Sequence, residues 1–280
     1  MAKKNEEPQY YLSRINTEVL NYNVYVMKPN EKILYRGLLF AAGGALGLIF
    51  YGGLFKEAGV ATTMTTISNV VVFSVVGLLA NKFFLPNIAE TLRLKRINVL
   101  KKQFCDFAMA LTNALASGMN MTDSLNAVYK DLQAQYSEDA VIVQEVGELI
   151  NGINNNVQVE VMLEDFGIRS GVDDISNFAT VFATCFRTGG DIKSVVRRTT
   201  EIISEKVMIS SEIETAVTSN KMQMNMMNVL PIVIVFMMRM LSSDFSESFG
   251  SIIGIIGLTV TAALTIAAYK MGQRIMDIKG

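Results

Sequence analysis

Histidine is absent from all 280 residues. That removes Ser-His-Asp and Cys-His nucleophile systems, imidazole-ligated metals and the usual proton shuttle. Cysteine is nearly absent: Cys105 and Cys185 stand 80 positions apart without CxxC spacing. Neither a disulfide framework nor a metal site is supported, and both cysteines read as buried apolar fillers. No GxxxxGK[ST] and no GxGxxG occurs, so neither phosphate-cradling loop is present. An enzyme here would have to use Lys, Asp, Glu, Tyr or Cys alone, and nothing points to one. No activity and no cofactor are expected. Charge is scarce too, at 18% of residues against roughly 25% in soluble proteins.

The missing charge is concentrated in discrete apolar runs. Residues 1–36 are polar and lack the apolar core of a signal peptide, so an N-terminal tail is expected there. Within it Leu12, Ile15, Val19 and Leu20 recur at three- and four-residue spacing, which predicts a short amphipathic helix on the membrane surface or against a later domain. Gly37–Phe55 carries no charge over 19 residues. Its length as a helix, about 28 Å, matches the roughly 30 Å hydrocarbon core of a bilayer. Gly43, Gly44 and Gly47 give that span a face for close helix approach. Ile67–Leu85 forms a second span, with Lys82 near its exit and Pro86 after it. A third, weaker span lies in Met222–Met238, where Pro231 predicts a kink or a broken first turn and Arg239 is expected to snorkel to the headgroups. The fourth is Ser248–Tyr269, with Gly250, Gly254 and Gly257 offered for packing. Residues 37–86 and 222–270 are thus two pairs of transmembrane helices, and 271–280 a C-terminal tail.

Four spans put both termini and the block 87–221 on one side of the membrane. Of 25 Lys and Arg residues, 23 fall on that side, leaving Lys56 and Arg239 on the other. By the positive-inside rule the block and both termini are cytoplasmic.

The block has no proline in 135 residues, and its apolar positions recur at helical spacing. Ile97, Leu100, Phe104, Phe107 and Leu111 mark one helix face; Leu125, Val128 and Leu132 a second; Ile142, Val146, Leu149 and Ile150 a third. Val159, Met162, Leu163 and Phe166 mark a fourth, and Ile175, Phe178, Phe182 and Cys185 a fifth. Ile192, Val195, Thr199, Ile202 and Val207 open a sixth, with room to run on towards the third span. The fold class is therefore all-α: a polytopic membrane protein with four transmembrane helices and a cytoplasmic bundle of about six more.

Two glycine turns punctuate the bundle. Gly118 can take a left-handed cap before a helix capped by Thr122 or Asp123, and Gly189-Gly190 ends the fifth helix with Asp191 as cap of the sixth. Ser124-Leu125 follows one turn and Ser194-Val195 the other, a weak internal repeat. Charge is segregated: Lys82–Lys102 holds six bases and one acid, whereas Gln103–Lys221 holds 8 bases and 17 acids. The basic end suits anionic membrane lipid, and the acidic remainder argues against a nucleic-acid partner and suits either solvent or a basic protein.

The stretch Phe107–Leu132, the middle VQVEVMLEDFGIRS and Phe178–Lys206, followed by a proline-bearing span, resemble the type II secretion system F domain. One such domain between two pairs of spans is similar to the TadB/TadC-type platform proteins of tight-adherence (Tad) pili. Relatives with two domains exist; this chain has one, so a sister platform subunit is expected. The resemblance implies an oligomeric inner-membrane platform without catalytic residues, passing the motion of a hexameric secretion ATPase to pilin. On that reading Gly118, Gly189 and Gly190 set helix angles, while Arg187, Asp191, Arg197 and Arg198 are candidates for a partner surface. The competing readings are a small transporter or channel, which the lack of Asp and Glu in the spans disfavours, and a membrane-bound enzyme or signalling protein.

Overall fold

A computed structural model describes residues 9–12, 17–53, 62–241 and 251–276. Among them are α1 Pro29–Tyr51, α2 Thr63–Ala116, α3 Met121–Gln135, α4 Val141–Asn154, α5 Val159–Ser170, α6 Asp173–Thr188, α7 Ile192–Leu241 and α8 Ile252–Met276. The described strands are β1 Tyr10–Leu12 and β2 Glu18–Leu20, paired antiparallel. Four of the helices (α1, α2, α7 and α8) are long and apolar enough to cross a membrane. The all-α polytopic architecture holds. The chain divides into two compact units, Met1–Val26 with Ala89–Ser211, and Met27–Ile88 with Glu212–Gly280.

The first unit is built on one apolar core. Leu100, Phe104, Phe107 and Leu111 of α2 meet Leu125, Val128 and Leu132 of α3, Ile142 and Val146 of α4, Leu163 and Phe166 of α5, and Phe178 and Phe182 of α6, all closed to solvent. Phe104 is the hub: its ring lies 5.3 Å from Phe178, edge to face, and 6.0 Å from Phe166. Aromatic pairs of this kind add about 0.5–1.5 kcal/mol each beyond their area burial. The first five helix faces are the buried ones. The sixth is rotated by one residue: Val196, Thr200 and Ile203 are buried, whereas Ile202 is 49% exposed. A run that is apolar on two adjacent stripes does not reveal which stripe faces inward. Here Thr200 decides it, because its hydroxyl bonds the Ala108 carbonyl and accepts from Thr112, both on α2.

The N-terminal expectation needs correcting. Leu12, Val19 and Leu20 belong to strands, not a helix, with Tyr11 opposite Val19 and Leu12 opposite Glu18; Ile15 lies outside the described residues. Three- and four-residue spacing over so short a run is matched equally well by two short strands, and of Leu12, Val19 and Leu20 only Val19 is buried. The segment belongs to the first unit rather than forming a tail. The first span also begins earlier, at Pro29, whose fixed φ and missing N–H suit the first helical position. Glu31 accepts from the Lys28 backbone N–H at 3.3 Å to close that end.

In the second unit α1 and α2 touch through small residues. A Cβ on Gly43 would stand 2.6 Å from Ala80 Cβ, and one on Gly47 3.0 Å from Val76 Cβ. Phe40 fills the space opposite Gly77 and meets Phe73 edge to face at 5.3 Å. Phe50, Val235 and Leu258 join α1, α7 and α8 in a small cluster, and the Tyr51 and Thr259 hydroxyls pair at 2.9 Å. Gly257 faces open space rather than a neighbour, and Gly250 lies outside the described residues. Pro231 does not break its helix, since α7 runs through it, and α2 likewise continues through Pro86.

Candidate functional site

The two glycine turns share a construction. At the first, Gly118 takes φ +90° and donates to the Leu115 carbonyl at 3.1 Å, which satisfies one orphan acceptor of α2. The cap of α3 is Asn120, not Thr122 or Asp123: its Oδ1 accepts from the Asp123 N–H at 2.8 Å, and its Nδ2 donates to the Asp123 carboxylate at 2.7 Å. At the second turn Gly189 takes φ +68°, and Gly190 donates to the Cys185 carbonyl at 3.0 Å. Asp191 then accepts from the Ser194 N–H at 3.3 Å as the cap of α7. The repeat is cleanest at equal distance from each glycine: Leu125 and Val196, seven residues on, are both buried, as are Leu132 and Ile203, fourteen on.

The candidate surface residues are spent locally. Arg187 reaches Glu164 at 3.5 Å and is 59% exposed, and Arg197 pairs along its own helix with Glu201 at 3.1 Å. Exposed pairs of this kind contribute about 0–1 kcal/mol. Asp191 and Arg198 are exposed. Arg187, Gly189, Gly190 and Asp191 thus form one turn, with Arg197 and Arg198 further along α7. No group of three or more metal-ligating side chains occurs among the described residues. A shallow groove of about 530 Å³ along α7 is lined by Met222, Met226, Leu230 and Val233 with Lys221 as its charge, which offers no convergent set of polar groups.

A more elaborate constellation was not read from the sequence. Arg169 of α5 lies buried with its Nη1 and Nη2 each 2.7 Å from an oxygen of Glu145 on α4, and its Nε 2.8 Å from Asp165. The Tyr22 hydroxyl donates to the same Glu145 at 2.6 Å. Backbone bonds complete the join: Tyr22 N–H to the Arg169 carbonyl at 3.0 Å, and Arg169 Nη1 to the Leu20 carbonyl at 3.3 Å. Thr17 adds a bond to Glu148 at 2.7 Å. Burial works against the Arg169 charge, but hydrogen bonds and attraction from Glu145 and Asp165 more than offset it and raise its pKa. Burial, and then the Glu145 charge, push the Tyr22 phenol far up. The network straps residues 17–25 onto the bundle, and the Arg96 guanidinium, 4.5 Å above the Tyr25 ring, continues it to α2. A signal existed in the sequence. Glu145 falls three residues after Ile142 and four before Leu149, on the apolar face itself, and Arg169 three after Phe166.

In the second unit Arg239 does something other than snorkel. Its Nη2 donates to the Phe50 carbonyl at 2.7 Å, and its Nη1 to the Gly52 carbonyl. The last turn of α1 carries no basic residue of its own, so α7 supplies the cation that its open carbonyls require. In a low-dielectric surround an unmet carbonyl is costly, which favours this use of the charge over solvation at the headgroups.

Residues 107–239 match the family model described as type II secretion system (T2SS), protein F. No curated protein sequence and no solved structure matches the chain. The matched region starts within the α2 core, takes in both glycine turns and the buried Arg169–Glu145 pair, and ends on Arg239 itself. The chain is a membrane protein carrying a type II secretion system protein F domain, the mark of a secretion and pilus-assembly platform family.

Proposed function

We propose that this chain is a non-catalytic inner-membrane platform of the TadB/TadC type, which transmits the motion of a hexameric cytoplasmic secretion ATPase to pilin subunits leaving the membrane. The observation that carries the reading is the type II secretion F domain at residues 107–239, set between pairs of apolar helices. The missing histidine, the absence of phosphate loops and the lack of Asp or Glu within the spans are consistent with a scaffold rather than an enzyme or an ion path. Placing 23 of 25 basic residues on the cytoplasmic side orients the helical domain and both termini towards the ATPase. A sister platform subunit completes the assembly, because one F domain is present.

The test is co-purification of the full chain with a hexameric secretion ATPase, together with the double charge reversal Arg197→Glu and Arg198→Glu. The variant is expected to stay in the membrane while pilus assembly stops. Wild-type piliation in that variant removes both residues from the partner surface. Nucleotide turnover by the chain alone would instead establish an enzyme.

A further inference from the structure

The apolar stretch of α7 has two sides that meet different surroundings. On one, a Cβ on Gly272 of α8 would overlap the Met224 sulfur, and Val235 packs with Phe50 and Leu258. At about 100° per residue, Met222, Val229 and Val233 stand roughly 140–180° around the helix from Met224. They line the groove of about 530 Å³, and Val229 and Val233 are 52% and 41% exposed although the helix is apolar enough to cross a membrane. The groove is graded along its length. Lys221 and Asn225 stand at its N-terminal end, about one helical turn apart, and Met226, Val229, Leu230 and Val233 follow. Lys221 and Asn225 are both exposed, and neither side chain makes a hydrogen bond or ion pair among the described residues.

We propose that this groove holds one anionic phospholipid, with its phosphate on Lys221, its ester oxygens beside Asn225 and one acyl chain along Met226 to Val233. Charge supports that occupant: Lys221 is the groove's one charged residue, and it stands where the uncharged run Met222–Met238 begins. Length supports it too. Lys221 to Val233 spans about 18 Å of helix, against about 15 Å for half of a bilayer's hydrocarbon core. Asn225 lies about 6 Å further into the span than Lys221, where an amide without a partner is costly. The ester oxygens of a phospholipid sit at that level below its phosphate and can accept from the amide. Packing excludes a further helix. Helices meet in lipid through small residues, as α1 and α2 do at Gly43 and Gly47, and the groove offers none beyond Asn225.

The chain has no tryptophan, so one introduced at Val229 reports on this groove alone. The full chain carrying Val229→Trp is reconstituted in vesicles of phosphatidylglycerol and phosphatidylcholine, with the acyl chains of one or the other lipid brominated to quench the indole. Quenching should show an about fivefold preference for phosphatidylglycerol, the effect of one basic residue near the membrane surface. Adding Lys221→Gln should remove the preference, whereas Lys270→Gln, at an exposed position of α8, should leave it. Met226→Trp should repeat the result, and Leu264→Trp, on the exposed side of α8, should show no preference. Equal quenching by the two lipids at Val229→Trp overturns the proposal, as does a preference that survives Lys221→Gln or appears equally at Leu264→Trp. Absence of quenching by either lipid also overturns it, since protein then covers the groove.

Discussion

Arg169 and Glu145 meet as a planar fork against a carboxylate, with two N–O distances of 2.7 Å and side chains 2% and 6% exposed. Removing Arg169 leaves the Glu145 carboxylate buried with the Tyr22 hydroxyl but without its counter-charge, and removing Glu145 leaves the buried guanidinium with Asp165 as its one carboxylate. Arg169→Ala and Glu145→Ala should each destabilise the first unit by about 3–5 kcal/mol, and the double variant by clearly less than the sum. Denaturant unfolding of the purified full chain measures this. Additive losses would show that the pair is not coupled. Tyr22→Phe, which removes one bond to Glu145, should cost about 1–3 kcal/mol.

Gly171 and Gly189 both have positive φ, at +61° and +68°, but their surroundings differ. A Cβ on Gly189 would meet nothing within 4 Å, whereas one on Gly171 would overlap Asn23 Oδ1. Gly189→Ala should cost about 1–2 kcal/mol of backbone strain alone. Gly171→Ala should cost more and also free the 17–25 strap, seen as lost hydrogen-exchange protection at the Tyr22 amide. Equal effects of the two substitutions would contradict the close approach of Asn23.

The Tyr136 hydroxyl donates to the Asp106 carboxylate, and burial, followed by that carboxylate, raises the phenol from 10.0 to about 12. The unfolded chain therefore sheds this proton first. The contribution of Tyr136 is fully present below pH 10 and is lost as pH climbs towards about 12. Thermal unfolding scanned across that window should show a fall that Tyr136→Phe reduces. An identical fall in both proteins assigns the alkaline loss to other groups.

Arg239 offers a cleaner contrast in the second unit. A guanidinium reaches the Phe50 and Gly52 carbonyls together, and a lysine ammonium lacks that fork. Arg239→Lys and Arg239→Ala should both lower the thermal stability of the detergent-solubilised chain. A residue reaching only for headgroups would tolerate lysine without loss.

Spans and bundle were legible in the sequence because both rest on long periodic runs. Nineteen uncharged residues from Gly37, or five apolar positions from Ile97 to Leu111, leave few alternatives. What stayed hidden was set by contacts distant in sequence. The strap is fixed by Glu145 and Arg169, more than a hundred positions from Tyr22, so local spacing gave Leu12 to Leu20 the wrong period. On α7 two neighbouring apolar stripes competed, and a threonine bond to α2 chose between them. Arg239 looked like a flanking charge because its acceptors lie at the end of a different helix. The glycine turns were found by residue type, whereas the Asn120 cap lost out to a threonine and an aspartate standing next to it.

The Tyr22–Glu145 bond joins positions 123 apart, and this gives the chain an order of assembly. Tyr22 leaves the ribosome before either of the first two spans, and its binding site is completed only after α5. At about 5–20 residues per second the strap waits roughly 7–30 s with its aromatic side chains unhoused. The first hairpin of spans is therefore committed to the bilayer before the domain that holds its leading segment exists. Closure of the strap marks the end of synthesis of α5, and in a chain that stalls earlier Tyr22 has neither Glu145 nor Arg169 to hold it.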